Sequence, residues 1–186
     1  MKGVLFYEEP LFWFKILNIY ILERKGKYMF QPTLYTKSRE ENYETVIQQL
    51  ASLIEGEEDL IANMANASAL LAHFLSNINW VGFYLWKDGE LVLGPFQGLP
   101  ACVRIPYGKG VCGTAIKKGE TLVVGNVHEF PGHIACDARS KSEIVLPLIK
   151  KGELLGVLDI DSPIYYRFDE IDRHYLEKFV ATLLAS

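Results

Sequence analysis

Two hairpin patterns constrain the fold of this chain more than any other feature of its sequence. In each, two segments with strand-like alternation are joined by a short turn: 80–86 with 91–96, and 143–149 with 153–161. The first turn contains Asp88-Gly89, a dipeptide typical of a two-residue hairpin loop. Parallel strands need long crossover connections, so two hairpins predict a mainly antiparallel sheet.

Helical periodicity flanks the hairpins. Segments 40–54 and 57–78 are predicted helices, and a third is predicted to start from Asp169 as its N-cap. Between the hairpins, the glycine-rich stretch 98–142 is predicted to be mostly loop, with a short helix at 111–117 and a strand at 121–127. The expected architecture is α+β, with helices packed on one side of the sheet and a pocket roofed by long loops on the other.

Composition narrows the classes of function. With a net charge of −4 and no basic patch among its 186 residues, the chain is not expected to bind nucleic acid. Three cysteines are an odd number and too few for a secreted disulfide framework, so we expect thiols in a reducing cytoplasm.

The N-terminal segment differs from the rest. Residues 4–22 are very hydrophobic, but charged residues and Pro10 interrupt them, and the longest apolar run is too short to span a bilayer. The alternatives are a short anchor on a membrane surface and a translation start at Met29. We predict that residues 1–28 are an N-terminal extension and that residues 29–186 form one domain.

Cys102, Cys112 and Cys136 all fall in the loop-rich region, and three interpretations are open. They could be unrelated buried thiols. They could form a zinc site with the nearby histidines, but the paired CxxC or CxxH spacing of such sites is absent, so we expect no metal. They could also carry a thiol redox cycle, in which a catalytic thiolate needs a partner thiol to close a disulfide.

Acidic and aromatic residues are the other candidates. Asp159 and Asp161 flank Ile160 on a strand, so both carboxylates share one face, and Glu143 on the preceding strand could join them. They either end an exposed strand or bind an ammonium-bearing ligand. Trp80 and Tyr84 share a strand face with Gly82 between them. Their rings either pack in the core or line a small-ligand site, in which the glycine between them leaves a notch for the ligand.

Five segments together resemble the free methionine-(R)-sulfoxide reductases, which are stand-alone GAF domains. The segments are 79–84 (NWVGFY), 108–113 (GKGVCG), 133–137 (HIACD), 140–143 (SKSE) and 156–163 (GVLDIDSP). The likeness runs from about Ser38 to Leu184 and leaves out the first 28 residues. It implies a GAF-type fold and an oxidoreductase that reduces free L-methionine (R)-S-oxide, an activity of the oxidative stress response.

The resemblance also implies roles for the cysteines. Cys136 matches the catalytic cysteine, which attacks the sulfoxide sulfur and becomes a sulfenic acid. Cys102 and Cys112 match the cysteines that resolve the sulfenic acid into a disulfide, and the likeness does not choose between them. Thioredoxin is the implied external reductant and partner, no cofactor or metal is bound, and a homodimer is implied.

For the pocket, the resemblance implies that Glu143, Asp159 and Asp161 hold the substrate's ammonium and polarise the sulfoxide. Trp80 and Tyr84 match aromatic residues of that pocket. Two other classes remain as alternatives: a non-catalytic GAF domain that senses a small ligand, and a purely structural interaction module. The absence of an output domain and the acidic pocket candidates, which disfavour a phosphate, argue against the sensor.

Overall fold

The computed structural model describes residues 33–134 and 137–185. The chain separates into two compact units, Met1–Leu34 and Tyr35–Ser186, and the account below concerns the second. The predicted extension, residues 1–28, lies outside the described residues. In the described part of the chain, no helix is long and apolar enough to cross a membrane.

Four α-helices and six strands make up the described part of the second unit. In chain order they are α1 (Arg39–Ile54), α2 (Leu60–Phe74), β1 (Trp80–Lys87), β2 (Glu90–Gly98), β3 (Arg104–Pro106), α3 (Gly110–Lys118), β4 (Leu122–Val124), β5 (Ser142–Lys150), β6 (Glu153–Ser162) and α4 (Glu170–Leu184). A single 3-10 turn, Val127–Glu129, follows β4.

The strands form one antiparallel sheet in the order β3-β2-β1-β6-β5-β4. Both predicted hairpins are present as β1–β2 and β5–β6. Asp88 and Gly89 both have positive φ, as do Lys151 and Gly152, which is the conformation that tight hairpin turns require. The prediction of a mainly antiparallel sheet is confirmed.

On one face of the sheet α2 packs on β1 and β2, and α4 packs on β5, while α1 packs against these two helices. The short helix α3 lies on the opposite face, and its residues Val111 and Ala115 join a core with Trp80 and Tyr84 of β1. The predicted α+β architecture is therefore confirmed, with α3 added to the face that carries the loops.

Helix starts follow the sequence closely. Ser38 and Glu41 form a capping box at α1, and Asp169 accepts hydrogen bonds from two backbone N–H groups at the start of α4. The helix predicted at 57–78 is shorter, because the Asp59 carboxylate caps it and Asn77, just past its end, adopts a left-handed conformation.

Two other features of the local structure differ from what the sequence predicted. The strand predicted at 121–127 covers only Leu122–Val124, after which the chain bends into the 3-10 turn. The three-residue strand β3 was not predicted, because its pairing with β2 is a long-range contact and so short a segment shows no periodicity of its own.

Candidate functional site

The three predicted carboxylates lie on one face of the sheet. Residues directly opposite one another on paired strands share a face, and Glu143 of β5 stands opposite Asp161 of β6. Asp159 stands opposite Gly82, and Asp161 is also opposite Trp80 on the other side of β6. Like charges directly opposite on neighbouring strands are destabilising. The arrangement therefore calls for protonation or for a cationic ligand.

These carboxylates line a pocket between the sheet and the loops around α3. The space between its lining residues, including its opening to solvent, is about 530 Å³. The lining residues are Trp80, Tyr84, Pro100, Ala101, Ile105, Gly110, Val111, Cys112, His133, Ile134, Asp137, Ser140, Glu143, Asp159 and Asp161. No lysine or arginine lines this pocket in the described part of the chain. The site is therefore suited to a cation.

A glycine lets α3 form one wall of this pocket. A Cβ atom at Gly113 would lie 2.5 Å from the carbonyl oxygen of Pro106, so only glycine allows α3 to pack this closely on the end of β3. This close packing of α3 places Cys112 at the pocket, where its Sγ lies 3.8 Å from Oε1 of Glu143. On the other side, His133 Nε2 is 4.0 Å from Oε2 of Glu143.

Burial changes the acidity of the carboxylates. Glu143 and Asp159 are both only 6% exposed. Burial, reinforced by Asp159 and Asp161, raises the pKa of Glu143 well above its usual value. Burial raises the pKa of Asp159 to about 6, and burial together with the charge of Asp159 raises the pKa of Asp161 well above its usual value. Near neutral pH, Asp159 is thus the most readily ionised of the three.

One oxygen of the site has no partner. Within the described residues, Asp159 Oδ1 is buried and makes no hydrogen bond. A buried acceptor left without a donor costs roughly 1–3 kcal/mol, more when it is charged. The pocket wall thus offers an acceptor to which a bound molecule can donate.

The cysteines differ from one another. Cys112 is a free, buried thiol, and burial beside Asp159 and Glu143 raises its pKa well above the usual value. It is therefore a neutral thiol rather than a thiolate. Cys102 is disulfide-bonded and packs against the core on the α3 side of the sheet. Cys136, assigned as the catalytic cysteine by resemblance, lies outside the described residues.

Trp80 and Tyr84 form an aromatic wall. Their rings stack with centroids 5.8 Å apart, and the Trp80 indole donates a hydrogen bond to the Leu99 carbonyl oxygen. The notch expected at Gly82 is absent, because a Cβ there would meet Phe96 at 2.3 Å and Trp80 at 2.7 Å. Phe96 fills that space and stacks on the indole, so a ligand does not approach the backbone at Gly82.

Sequence reasoning missed several pocket residues. His133 entered the sequence analysis only as a histidine near a possible zinc site, yet it lines the pocket beside Glu143. Asp137 also lines it. Hydrogen bonds from Arg139 and Asn79 hold the pKa of Asp137 below its usual range, so this carboxylate stays ionised. The only available signal was their position inside the family segments, because neither residue belongs to a periodic element.

The chain is similar in sequence to several known proteins. The GAF domain family model matches residues 38–186. The chain is 57% identical to Protein YtsP of Bacillus subtilis over 83% of its length and 96% of that protein. It is 51% identical to the free methionine-R-sulfoxide reductase of Escherichia coli over 78% of its length and 88% of that protein.

A solved structure agrees with these relatives. The X-ray structure of the free methionine-R-sulfoxide reductase of Neisseria meningitidis in complex with its substrate superposes on the chain with a TM-score of 0.77. The two sequences are 45% identical, and the match covers 83% of this chain and 95% of that one. Fold and sequence thus point to the same group of proteins.

Proposed function

The chain belongs to the GAF-domain family of free methionine-R-sulfoxide reductases, and we propose on that premise that it reduces free L-methionine (R)-S-oxide to methionine. The observation that carries the proposal is the acid pocket. It is lined by four carboxyl groups, those of Asp137, Glu143, Asp159 and Asp161, and by an aromatic wall, with no lysine or arginine in its described lining, and one oxygen of Asp159 has no partner there. A free amino acid brings the ammonium group that this pocket lacks, whereas a methionine inside a protein does not.

The differing acidities divide the roles of the carboxyl groups. Asp159, whose pKa is raised only to about 6, is ionised at neutral pH and can pair with the substrate's ammonium. Glu143 and Asp161 have pKa values well above the usual range, so they can hold a proton and donate it to the sulfoxide oxygen. Sulfoxide oxygen leaves poorly unless it is protonated, so the reaction needs such an acid.

The proposed chemistry uses the cysteines in sequence. The Cys136 thiolate attacks the sulfoxide sulfur. The oxygen passes to the cysteine, methionine leaves, and Cys136 becomes a sulfenic acid. A second thiol then attacks this sulfenic acid, water is lost, and a disulfide forms. Thioredoxin's dithiol reduces that disulfide and becomes oxidised itself, which makes disulfide the acceptor class of the enzyme.

Cys102 is the resolving thiol in this proposal. It is disulfide-bonded, whereas Cys112 is a free thiol whose raised pKa disfavours attack as a thiolate. In the proposed cycle, Cys102 resolves the sulfenic acid of Cys136, so the disulfide that thioredoxin reduces joins these two residues. Cys112 instead holds a neutral S–H beside Glu143. A reducing cytoplasm as the working compartment and a homodimer remain predictions.

The test is NADPH consumption coupled through thioredoxin reductase and thioredoxin, with free methionine (R)-sulfoxide as substrate. We expect turnover with the free R epimer and none with the N-acetyl, C-amidated compound, whose nitrogen carries no charge. Cys136→Ser should abolish turnover, and Cys102→Ser should slow disulfide formation far more than Cys112→Ser. Turnover of the blocked compound at the same rate as the free one would contradict the role of the acid pocket.

Single-turnover kinetics separates the carboxyl groups. Loss of a charge-assisted bond to the ammonium costs roughly 1.5–3 kcal/mol, so Asp159→Asn should weaken binding by about 10- to 150-fold. Saturating substrate should restore its rate. Glu143→Gln and Asp161→Asn should lower sulfenic acid formation by about 100-fold even at saturation. Unchanged kinetics in all three variants would remove the acids from the mechanism.

A further inference from the structure

Donor atoms of different chemistry converge in the acid pocket. Cys112 Sγ and one carboxylate oxygen each of Glu143 and Asp159 lie within 4.8 Å of one another, and all three residues are buried. Ligands of a tetrahedral zinc ion, bound at about 2.0–2.3 Å, are roughly 3.3–3.8 Å apart. The Cys112–Glu143 separation of 3.8 Å is at the upper end of that range. Small side-chain rotations would therefore close the cluster around an ion.

Two further observations point to a ligand here. Asp159 Oδ1, buried at the pocket wall, has no hydrogen-bond partner among the described residues, so a cation would satisfy an acceptor that the protein leaves unpaired. In addition, His133 offers an imidazole nitrogen 4.0 Å from the other oxygen of Glu143. The cluster thus has three donors, and His133 lies beside one of them.

We propose that Cys112, Glu143 and Asp159 form a binding site for a thiophilic divalent cation, zinc above all. A thiolate donor selects zinc over magnesium and calcium, which prefer all-oxygen sites. The ligands give up their protons to solvent when the ion binds. The sequence predicted no metal site, because the CxxC spacing of zinc sites is absent. The donors of this site come from three separate elements, so they leave no such spacing in the sequence.

Such an ion would occupy the place of the substrate's ammonium. If the proposed function is correct, zinc is therefore an inhibitor that competes with methionine sulfoxide and is removed by a chelator. The site itself does not depend on that reaction, because its ligands and geometry are those of the resting protein. Metal binding and catalysis can consequently be tested apart.

Cobalt(II) is the probe for the first test, since it takes zinc's place in tetrahedral sites and gives a near-ultraviolet charge-transfer band when a thiolate is bound. The experiment uses the full chain with its Cys102 disulfide intact and no sulfoxide present. Alkylation mapping first verifies that Cys112 is the free thiol. We expect one equivalent of cobalt to produce the band and one equivalent of zinc to remove it.

Variants then identify the ligands. Cys112→Ser should lose the band, and Asp159→Asn and Glu143→Gln should each weaken cobalt binding by at least about tenfold. Glu129→Gln, an exposed acid outside the pocket lining, is the matched control and should bind as the parent does. Asp159→Asn keeps the test valid if Cys112→Ser fails to fold. No thiolate band in the parent chain, or equal binding by all variants, would mean an adventitious ion only and would overturn the proposal.

The second readout is inhibition. Zinc should raise the apparent KM for methionine sulfoxide without lowering kcat at saturating substrate, and a chelator should restore activity. A chain that binds cobalt through Cys112 but reduces no sulfoxide would refute the proposed function alone. A chain that reduces sulfoxide but shows no cobalt–thiolate band would refute the metal site alone.

Discussion

Asp159→Asn should make the protein more stable at alkaline pH. The pKa of Asp159 is raised from 3.8 to about 6 in the folded chain, chiefly by burial. A carboxyl group with a raised pKa contributes stability while it is protonated, and that contribution is lost as the pH rises from about 4 through about 6. At about 1.4 kcal/mol per pH unit, the loss amounts to about 3 kcal/mol as an upper limit.

Asparagine is close to isosteric with the protonated acid and carries no charge at any pH. The variant should therefore exceed the parent by up to about 3 kcal/mol at pH 8, and by under about 1 kcal/mol at pH 4. The charge of Asp159 also raises the pKa values of Glu143 and Asp161, so its removal acts in the same direction at these neighbours. Such a gain in stability with a loss of substrate binding is the usual sign of a functional site.

Urea unfolding at pH 4 and pH 8, with the disulfide kept oxidised, measures both differences. Glu58→Gln is the control, because Glu58 is exposed and its substitution should change stability by under about 0.5 kcal/mol at either pH. If Asp159→Asn proves less stable than the parent at pH 8, or if its effect is the same at both pH values, the reasoning about the buried carboxyl group is wrong.

Three other predictions concern the fold. A chain that starts at Met29 should keep the turnover and unfolding midpoint of the full chain, whereas insolubility would make residues 1–28 an integral part of the protein. Gly156→Ala should destabilise by about 3 kcal/mol or more in urea unfolding, because the added Cβ would lie 2.0 Å from the Tyr84 carbonyl oxygen. Asp169→Ala removes the N-cap of α4 and should cost about 1–2 kcal/mol, whereas Asp169→Asn, which keeps a capping oxygen, should cost less.

Local chemistry accounts for the parts of this protein that the sequence determines by itself. The turns at Asp88-Gly89 and Lys151-Gly152 and the cap at Asp169 were predicted correctly, because each depends on neighbours in the chain. The shared face of Asp159 and Asp161 follows in the same way from the two-residue period of a strand. The five segments that resemble the free methionine-(R)-sulfoxide reductases also identified the protein family from the sequence alone.

Only long-range packing could decide other features. The space beside Gly82 is filled by Phe96 from the neighbouring strand, so the notch expected from the sequence is absent. Cys112 reaches Glu143 because α3 packs on the end of β3, a strand with no periodic signal. The raised pKa values depend on this burial, which no sequence pattern measures.

The position of Glu143 is the clearest case. Near the turn, Lys150 pairs with Glu153, and a regular hairpin counted from that pair would set Glu143 opposite Ile160, on the other face of the sheet. A bulge shifts the register by one residue between Leu148 and Ile149, and Glu143 then stands opposite Asp161. Side chains alternate between faces, so a slip of one residue reverses which face each occupies. The sequence contains the three acidic residues, but only the bulge in the folded sheet places all three on one face.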